Sequence, residues 1–186
     1  MVATTTFLSA DDYLATDTER PRFTELIHGE VFLNTPSLRH QRIGARIQFL
    51  LQLWCEQAPG RGEAPLSVDA KLSDGDVYAP DVWWVCEANR PPRDAKHLVG
   101  PPDLAVEIRS PSTWRFDVGM KFETYERAEL PELWLVDTAS NSILVYRRSS
   151  PAAKTFDVAL EFSDGERLTS PMLPGLSVDI TALFDR

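Results

Sequence analysis

Two short runs of consecutive apolar residues constrain the fold of this chain more than any other feature of its sequence. One run is Val82-Trp83-Trp84-Val85, and the other extends from Leu104 to Ile108, interrupted by Glu107. Successive side chains of a strand point to opposite faces of a sheet, so a strand without alternation is buried on both faces. Both runs are therefore predicted to be strands of a sheet that helices cover on each side.

A long amphipathic helix is predicted from Ser37 to Glu56, followed by the helix-ending pair Pro59-Gly60. Its apolar residues recur at three- and four-residue steps; they are Ile43, Ile47, Leu50, Leu51 and Trp54. The wetter side carries Arg39, Arg42, Arg46 and Gln48. Together with Gln41, these arginines favour either a basic strip that faces nucleic acid or an ordinary solvated helix face.

The other predicted elements complete a mixed α/β chain. In order they are a short helix capped by Ser9, a hairpin at Phe23–Leu33, strands at Ser67–Leu72 and Val77–Cys86, a loop at Asn89–Pro102, a helix at Ser112–Arg127, strands at Leu133–Val136, Ile143–Tyr146, Thr155–Leu160 and Leu176–Ile180, and a helix at Thr181–Phe184. The hairpin has His28-Gly29 at its turn. The predicted fold is a mixed central sheet flanked by helices, with an N-terminal hairpin, in one domain over residues 1–186.

The composition excludes several classes of protein. Hydrophobic residues make up 43% of the 186 residues and the net charge is −9, which argues against an indiscriminate phosphate binder without excluding a local basic groove. Cys55 and Cys86 are far apart in apolar runs, so each is predicted to be a small buried residue in a reducing compartment. The longest apolar stretches are too short to span a bilayer. We therefore expect a cytoplasmic protein.

Two carboxylates stand where apolar strands should have none. Asp81 precedes the Val82–Val85 run and Glu107 interrupts the next apolar strand. A buried carboxylate needs a cation, a hydrogen-bond network or a water-filled cleft. Either each lies at a strand end, solvated or paired with arginine, or both meet at one sheet edge. In the second case their oxygens suit Mg²⁺ or Mn²⁺.

A lysine follows these acids on the helix predicted from Ser112. Asp117, Lys121 and Tyr125 are spaced four residues apart and share one helix face. An ordinary surface pair between Asp117 and Lys121 is one interpretation. In the other, this face is directed at the two carboxylates, and Lys121 positions water or stabilises negative charge on a phosphate.

The order and spacing of these residues resemble the Uma2 family, also called DUF820, over about residues 7 to 185. The segments that carry the resemblance are Phe23–Glu30, Pro36–His40, Tyr78–Val82, Gly100–Thr113, the trio Asp117, Lys121 and Tyr125, Pro131–Asp137, and Leu173–Leu176. The resemblance implies a restriction-endonuclease-like fold of the PD-(D/E)XK superfamily and a Mg²⁺-dependent endonuclease.

The resemblance also implies roles for single residues. Asp81 and Glu107 correspond to the two metal-binding acids, Lys121 to a catalytic lysine, and Glu25 or Glu30 to an additional acid. The metal would lie between Asp81, Glu107 and the backbone carbonyl of Ile108. The residues expected to contact substrate are Arg109, His40 and Tyr125. Arg109 stands where the superfamily's original lysine would be and, since arginine stays protonated, could bind phosphate but not act as a base.

Three alternatives stay open at this point. His40, at the start of the long helix, is either a helix-end hydrogen-bonding residue or a phosphate or water contact in the cleft. The chain is either a nuclease that acts on nucleic acid, with DNA expected first, or a non-catalytic binding or assembly protein with a degenerate site. Homodimers are common among related folds, and exposed strand edges or Asn89–Pro102 could form such an interface.

Overall fold

The two apolar runs lie next to each other in one sheet, as the sequence predicts. The computed structural model describes residues 7–16, 21, 23–109 and 117–185. Within them the strands are β1 Thr24–Ile27, β2 Glu30–Leu33, β3 Ala70–Lys71, β4 Val77–Tyr78, β5 Val82–Trp84, β6 Leu98–Val99, β7 Leu104–Ile108, β8 Glu132–Asp137, β9 Ser142–Arg147, β10 Val158–Phe162, β11 Arg167–Leu168 and β12 Val178–Asp179. The helices are α1 Ala10–Ala15, α2 Leu38–Glu56, α3 Phe122–Arg127 and α4 Ile180–Phe184, with a 3₁₀ turn at Glu87–Asn89 and a π-helical turn at Asp117–Lys121.

The strands form two five-stranded sheets and one two-stranded ribbon. The first sheet has the order β2-β1-β4-β3-β6, the second has the order β10-β9-β8-β7-β5, and β11 pairs with β12. In the second sheet β7 is parallel to β8 but antiparallel to β5, while β9 is antiparallel to β8 and β10. The sheet is therefore mixed, as predicted.

Each face of the second sheet is covered by a separate apolar cluster. On one face Val82, Val106 and Trp134 pack with apolar residues of α2 and α4. On the other face Ala105 and Leu133 pack with Tyr125 of α3 and with residues of the first sheet. Burial on both sides explains why β5, β7 and β8 lack the polar alternation of a half-exposed strand.

The long helix and the hairpin confirm the patterns that predicted them. Ser37 caps α2 by accepting the backbone amide of His40 at 3.2 Å, and four predicted apolar positions, Ile43, Ile47, Leu51 and Trp54, are buried. In the hairpin, His28 and Gly29 have φ values of +50° and +78°, as a tight primed turn between β1 and β2 requires.

Several predicted boundaries are wrong, and the reasons are local. The single strand predicted at Val77–Cys86 is divided between β4 in the first sheet and β5 in the second, because Pro80 has no N–H with which to continue a ladder. The strand predicted at Ser67–Leu72 shortens to β3, and the predicted loop at Asn89–Pro102 contains β6.

The predicted helix at Ser112–Arg127 is described only in its second part. Residues 112–116 lie outside the described residues, and the chain continues as the π-helical turn and then α3. The wider π turn shifts the helix faces from regular four-residue spacing. No helix in the described part of the chain is long and apolar enough to cross a membrane.

Candidate functional site

A buried lysine joins carboxylates from the two large sheets. Lys121 Nζ lies 2.8 Å from Glu25 Oε1 and 3.2 Å from Glu107 Oε2. The side chains are 2%, 6% and 5% exposed, in that order, so all three charges are almost completely removed from water. A buried charge is tolerated when it has an opposite charge and hydrogen bonds. The lysine therefore balances two acids that could not both be buried without it.

The strands determine where these acids point. Glu25 lies on β1, and its Oε1 also accepts the backbone amide of Ala79 at 3.0 Å, just after β4. Glu107 lies near the end of β7, two residues after Ala105 and on the same face. That face is covered by Tyr125 and the first sheet. The first and second sheets consequently meet at this pair of glutamates.

Tyr125 holds the second oxygen of Glu107. Its hydroxyl donates to Glu107 Oε1 at 2.7 Å, and its side chain is fully buried. Burial raises the pKa of Tyr125 well above its usual value, and the negative charges of Glu107 and Glu25 raise it further. The hydroxyl therefore stays protonated and donates to the carboxylate. Tyr125 was predicted to contact substrate, and in the fold it is buried and bonded to Glu107.

Tyr78 is a member of this cluster that the sequence analysis did not select. Its ring lies 5.5 Å from Lys121 Nζ and packs edge-to-face on Tyr125 with ring centroids 5.4 Å apart. Burial raises the pKa of Tyr78, so it stays neutral beneath the ammonium, where a cation–π contact is favourable. The sequence could have indicated Tyr78, because it lies three residues before Asp81 in a segment that carries the family resemblance.

Asp81 immediately precedes β5 and is in contact with His40. Its Oδ2 accepts the amide of Ile108 at 2.8 Å and lies 3.1 Å from Nε2 of His40. The β5–β7 register pairs Val82 with Val106, and one further step would set Asp81 opposite Glu107. His40 is 2% exposed, and neither ring nitrogen makes a well-formed hydrogen bond within the described part of the chain.

A cleft of about 750 Å³ opens over this region. Glu25, His40 and Asp81 line it, together with residues of α2 and the segment that precedes β3. Glu107 and Lys121 are not among the lining residues but lie buried behind Glu25. Glu30, the alternative to Glu25, is exposed on β2. Of the two N-terminal acids, Glu25 is thus the one that reaches both the cleft and the lysine.

Arg109 and Ile108, both predicted to take part in binding, are each bonded to a carboxylate of the chain. Arg109 Nη1 donates to both carboxylate oxygens of Asp137, at 2.8 and 3.0 Å. Burial opposes ionisation of Asp137, but the amide of Ala139 and the guanidinium outweigh it and lower its pKa. Arg109 therefore already has an anionic partner. The backbone amide of Ile108 donates to Asp81 at 2.8 Å.

The carboxylates of the site suit a hard divalent cation whose remaining ligands come from water and substrate. No three His, Cys, Asp or Glu side chains of the described residues cluster closely enough to hold a metal ion. Mg²⁺ often takes one or two carboxylates and receives its other oxygens from water and substrate phosphates. The ammonium of Lys121 already occupies the space between Glu25 and Glu107. Asp81 and Glu107 are the two carboxylates that such a donor set would use, and both oxygens of Glu107 are already bonded, one to Lys121 and one to Tyr125.

The comparison with protein families matches this architecture and order of residues. A sequence model of Uma2, described as "Putative restriction endonuclease", matches residues 10–181. The chain belongs to the Uma2 family. Two Synechocystis proteins, slr1290 and sll1609, both described as uncharacterized, are 28% and 30% identical to it over 150 and 142 residues. Those alignments cover 76% and 74% of this chain and 75% and 78% of the relatives.

A solved structure shows that the fold of this Uma2 chain recurs elsewhere. The crystal structure of an Anabaena variabilis protein, described as a putative nuclease belonging to DUF820, superposes with a TM-score of 0.78 at 19% sequence identity. The match covers 96% of this chain and 98% of that one. Both the fold and the family resemblance predicted from the sequence are confirmed.

Proposed function

We propose that this Uma2 chain is a divalent-metal-dependent endonuclease that hydrolyses phosphodiester bonds in nucleic acid. The observation that carries the proposal is the buried Lys121 ammonium between Glu25 and Glu107, behind a cleft that Asp81 lines. Carboxylates on a strand pair next to a buried lysine supply the groups that phosphodiester hydrolysis needs. The family description and the nuclease description of the Anabaena protein support the same activity.

Each residue has a distinct part in this proposal. Asp81 and Glu107 would hold Mg²⁺ or Mn²⁺, with the Ile108 carbonyl as a backbone donor. A bound divalent cation supplies activation of water and neutralisation of charge on the scissile phosphate. Lys121 stabilises the negative charge that develops at the phosphate. Glu25 holds the ammonium in place, and Tyr125 fixes the orientation of Glu107.

His40 acts at the boundary between the cleft and Asp81. Its ring lines the cleft while Nε2 contacts the carboxylate at 3.1 Å. It can orient Asp81 and contact water or a substrate phosphate from the same position. Arg109 contributes a phosphate contact only if it leaves Asp137, so its part in binding is secondary.

Metal titration tests the proposal most directly. We expect calorimetry to detect Mg²⁺ or Mn²⁺ binding to the wild-type protein and loss of that binding in Asp81→Asn. Nucleic-acid cleavage should be abolished in Asp81→Ala and in Glu107→Ala, while circular dichroism shows retained folding. Asp69→Asn is a matched control, because Asp69 lines the same cleft on the segment before β3.

Undiminished cleavage by both alanine variants would refute the assignment. Titrations are repeated with a phosphorothioate oligonucleotide, because substrate oxygens can be needed to complete a Mg²⁺ site. Metal binding that is equal in the wild-type protein and in Asp81→Asn would remove the carboxylate site from the proposal.

The burial of Glu107 favours one competing function, a non-catalytic binding or assembly protein. Its carboxylate is already neutralised by Lys121 and bonded to Tyr125, as a degenerate site would be. Such a protein would bind nucleic acid with the same affinity before and after Asp81→Asn. Adding metal would also leave that affinity unchanged, both in the wild-type protein and in Asp81→Asn. These two results together separate a binding protein from a nuclease.

A further inference from the structure

Phe23 is an exposed aromatic residue in a strained backbone conformation at the edge of the cleft. Its φ is +61°, in the left-handed region that bulky residues rarely adopt. Its carbonyl oxygen accepts the amide of Asn34 at 2.7 Å, next to the β1–β2 ladder. The side chain is 58% exposed. Core packing therefore does not account for a large aromatic residue at this position.

The walls of the cleft combine this ring with amide side chains and a second apolar residue. Asn34, Gln41 and Gln48 line the cleft, and Leu66, which is 81% exposed, lies on the same lining. Bases stack on aromatic rings and form hydrogen bonds with amide groups through their edges. A base held against this wall would lie in the same cleft as Asp81.

The charge of the cleft does not suit a duplex. Lys96 is the one lysine or arginine among the described residues that line it, whereas three acids line it: Glu25, Asp69 and Asp81. The chain as a whole carries a net charge of −9. Duplex binding depends on many contacts between basic residues and phosphates. A single strand also draws on phosphate contacts, but its exposed bases can stack on aromatic side chains, a contribution that a paired duplex does not offer.

We propose that the cleft binds a single-stranded segment of nucleic acid, with one base stacked on the ring of Phe23. This inference rests on the proposed nuclease function and names its substrate class. The exposed amide of Gln41 contacts the edge of the base, Lys96 contacts a phosphate, and the backbone of the strand passes over Asp81. Few phosphates are neutralised, so the affinity should depend only weakly on salt concentration.

Fluorescence anisotropy with a labelled deoxyoligonucleotide tests this proposal. The same mixed-sequence strand is measured alone and annealed to its complement, with Ca²⁺ in place of Mg²⁺ and with gel analysis to verify that the strand stays intact. The proteins are the wild type, Phe23→Ala, Phe23→Leu, Phe23→Trp and Phe49→Ala. Phe49 is the matched control, since it is 64% exposed on α2 and does not line the cleft.

The wild-type protein should bind the single strand more tightly than the duplex. Phe23→Ala and Phe23→Leu should each weaken single-strand binding about tenfold, the order expected for loss of one stacked base. Phe23→Trp should retain the affinity, and Phe49→Ala should leave it unchanged. The leucine variant keeps an apolar side chain at position 23, so a loss there does not reflect unfolding, which thermal denaturation verifies independently.

Tighter binding of the duplex, or equal effects of Phe23→Ala and Phe49→Ala, would overturn the inference. Cleavage assays separate this outcome from failure of the proposed function. Asp81-dependent cleavage of duplex by the Phe23→Ala protein would leave the nuclease standing and remove the single-strand preference. Phe23-dependent binding of the single strand without any cleavage would support the single-strand site and remove the proposed nuclease function.

Discussion

Glu107 and Glu132 are buried carboxylates on neighbouring strands of one sheet, but their surroundings differ. Glu107 faces the first sheet and contacts Lys121 and Tyr125. Glu132 lies on the opposite face of the sheet, where it accepts hydrogen bonds from Trp134 at 2.6 Å and Ser170 at 2.8 Å, with Arg147 at 3.6 Å. One carboxylate lies behind a cleft next to a full cation, whereas the other is satisfied mainly by neutral donors. Burial of an acid is therefore not in itself a sign of function.

The largest difference between the two glutamates is expected in catalysis. Glu107→Gln should lower nucleic-acid cleavage by about 10²- to 10³-fold, as for loss of one charged group that stabilises a transition state. Glu132→Gln should leave cleavage within about twofold of the wild-type rate, because Glu132 lies on the opposite face of the sheet. Initial rates on one oligonucleotide compare the three proteins. Similar losses in both variants would mean that the two carboxylates are not functionally distinct.

Removing the ammonium group of Lys121 should destabilise the protein, because Glu25 and Glu107 depend on it. Lys121→Met leaves Glu25 and Glu107 buried without their shared ammonium, and breaking a buried ion pair costs about 3–5 kcal/mol in free energy of unfolding. Urea denaturation monitored by circular dichroism measures this loss. Lys96→Met, at an exposed position, should change the stability by less than about 0.5 kcal/mol. Equal effects of the two substitutions would argue against a buried ion pair at Lys121.

A smaller loss of stability is expected when the hydroxyl of Tyr125, the neutral donor to Glu107, is removed. Tyr125→Phe deletes one buried hydrogen bond to a charged group, which is worth about 2 kcal/mol. Tyr146→Phe is the control, because the Tyr146 ring packs against Phe122 at a centroid distance of 4.8 Å, away from both acids. If Tyr125→Phe is as stable as its control, the hydroxyl of Tyr125 does not hold Glu107.

The smallest effect is expected from Glu132 and depends on pH. Burial raises the pKa of Glu132, and the hydrogen bonds from Trp134 and Ser170 only partly oppose it. The folded protein therefore binds this proton more tightly than the unfolded chain, so stability from this group is present at low pH. It is lost as the pH rises from the unfolded pKa through the raised folded pKa.

Glu132→Gln should consequently be more stable than the wild-type protein near neutral pH, by about 1 kcal/mol. The advantage should shrink below the unfolded pKa of the carboxyl. Thermal denaturation at several pH values measures the difference between the two proteins. A variant that is less stable at neutral pH would show that the contact with Arg147 outweighs the effect of burial.

Apolar periodicity in the sequence predicted the fold, and acids within apolar strands indicated residues of the candidate site. Asp81 and Glu107 were selected in that way, and Lys121 from its helix face. Glu132 carried the same signal, since it also precedes an apolar strand, but its partners come from positions that only tertiary packing unites. Sequence spacing alone could not have separated it from Glu107.

Other features that the sequence did not predict have the same cause. Asp137 is 28 residues from Arg109 in the chain, and the ion pair between them exists because β7 and β8 run parallel and in register. The division of Val77–Cys86 between two sheets follows from Pro80 and also could not be read from apolar content. Local patterns predict elements, whereas pairing across sheets decides which polar side chains meet.

Because the chain passes from one sheet to the other at Pro80, the candidate site forms only when both sheets are folded and packed together. Glu25 belongs to the first sheet and Glu107 to the second, and Lys121 comes from the turn that follows. Each sheet could form its own ladders without creating the ion cluster. Long-range contacts of this kind form late and slowly, because the intervening chain must be ordered first. The cluster of Glu25, Glu107 and Lys121 would therefore form only in the last step of folding, when the two sheets dock, and a protein with native secondary structure could still lack it.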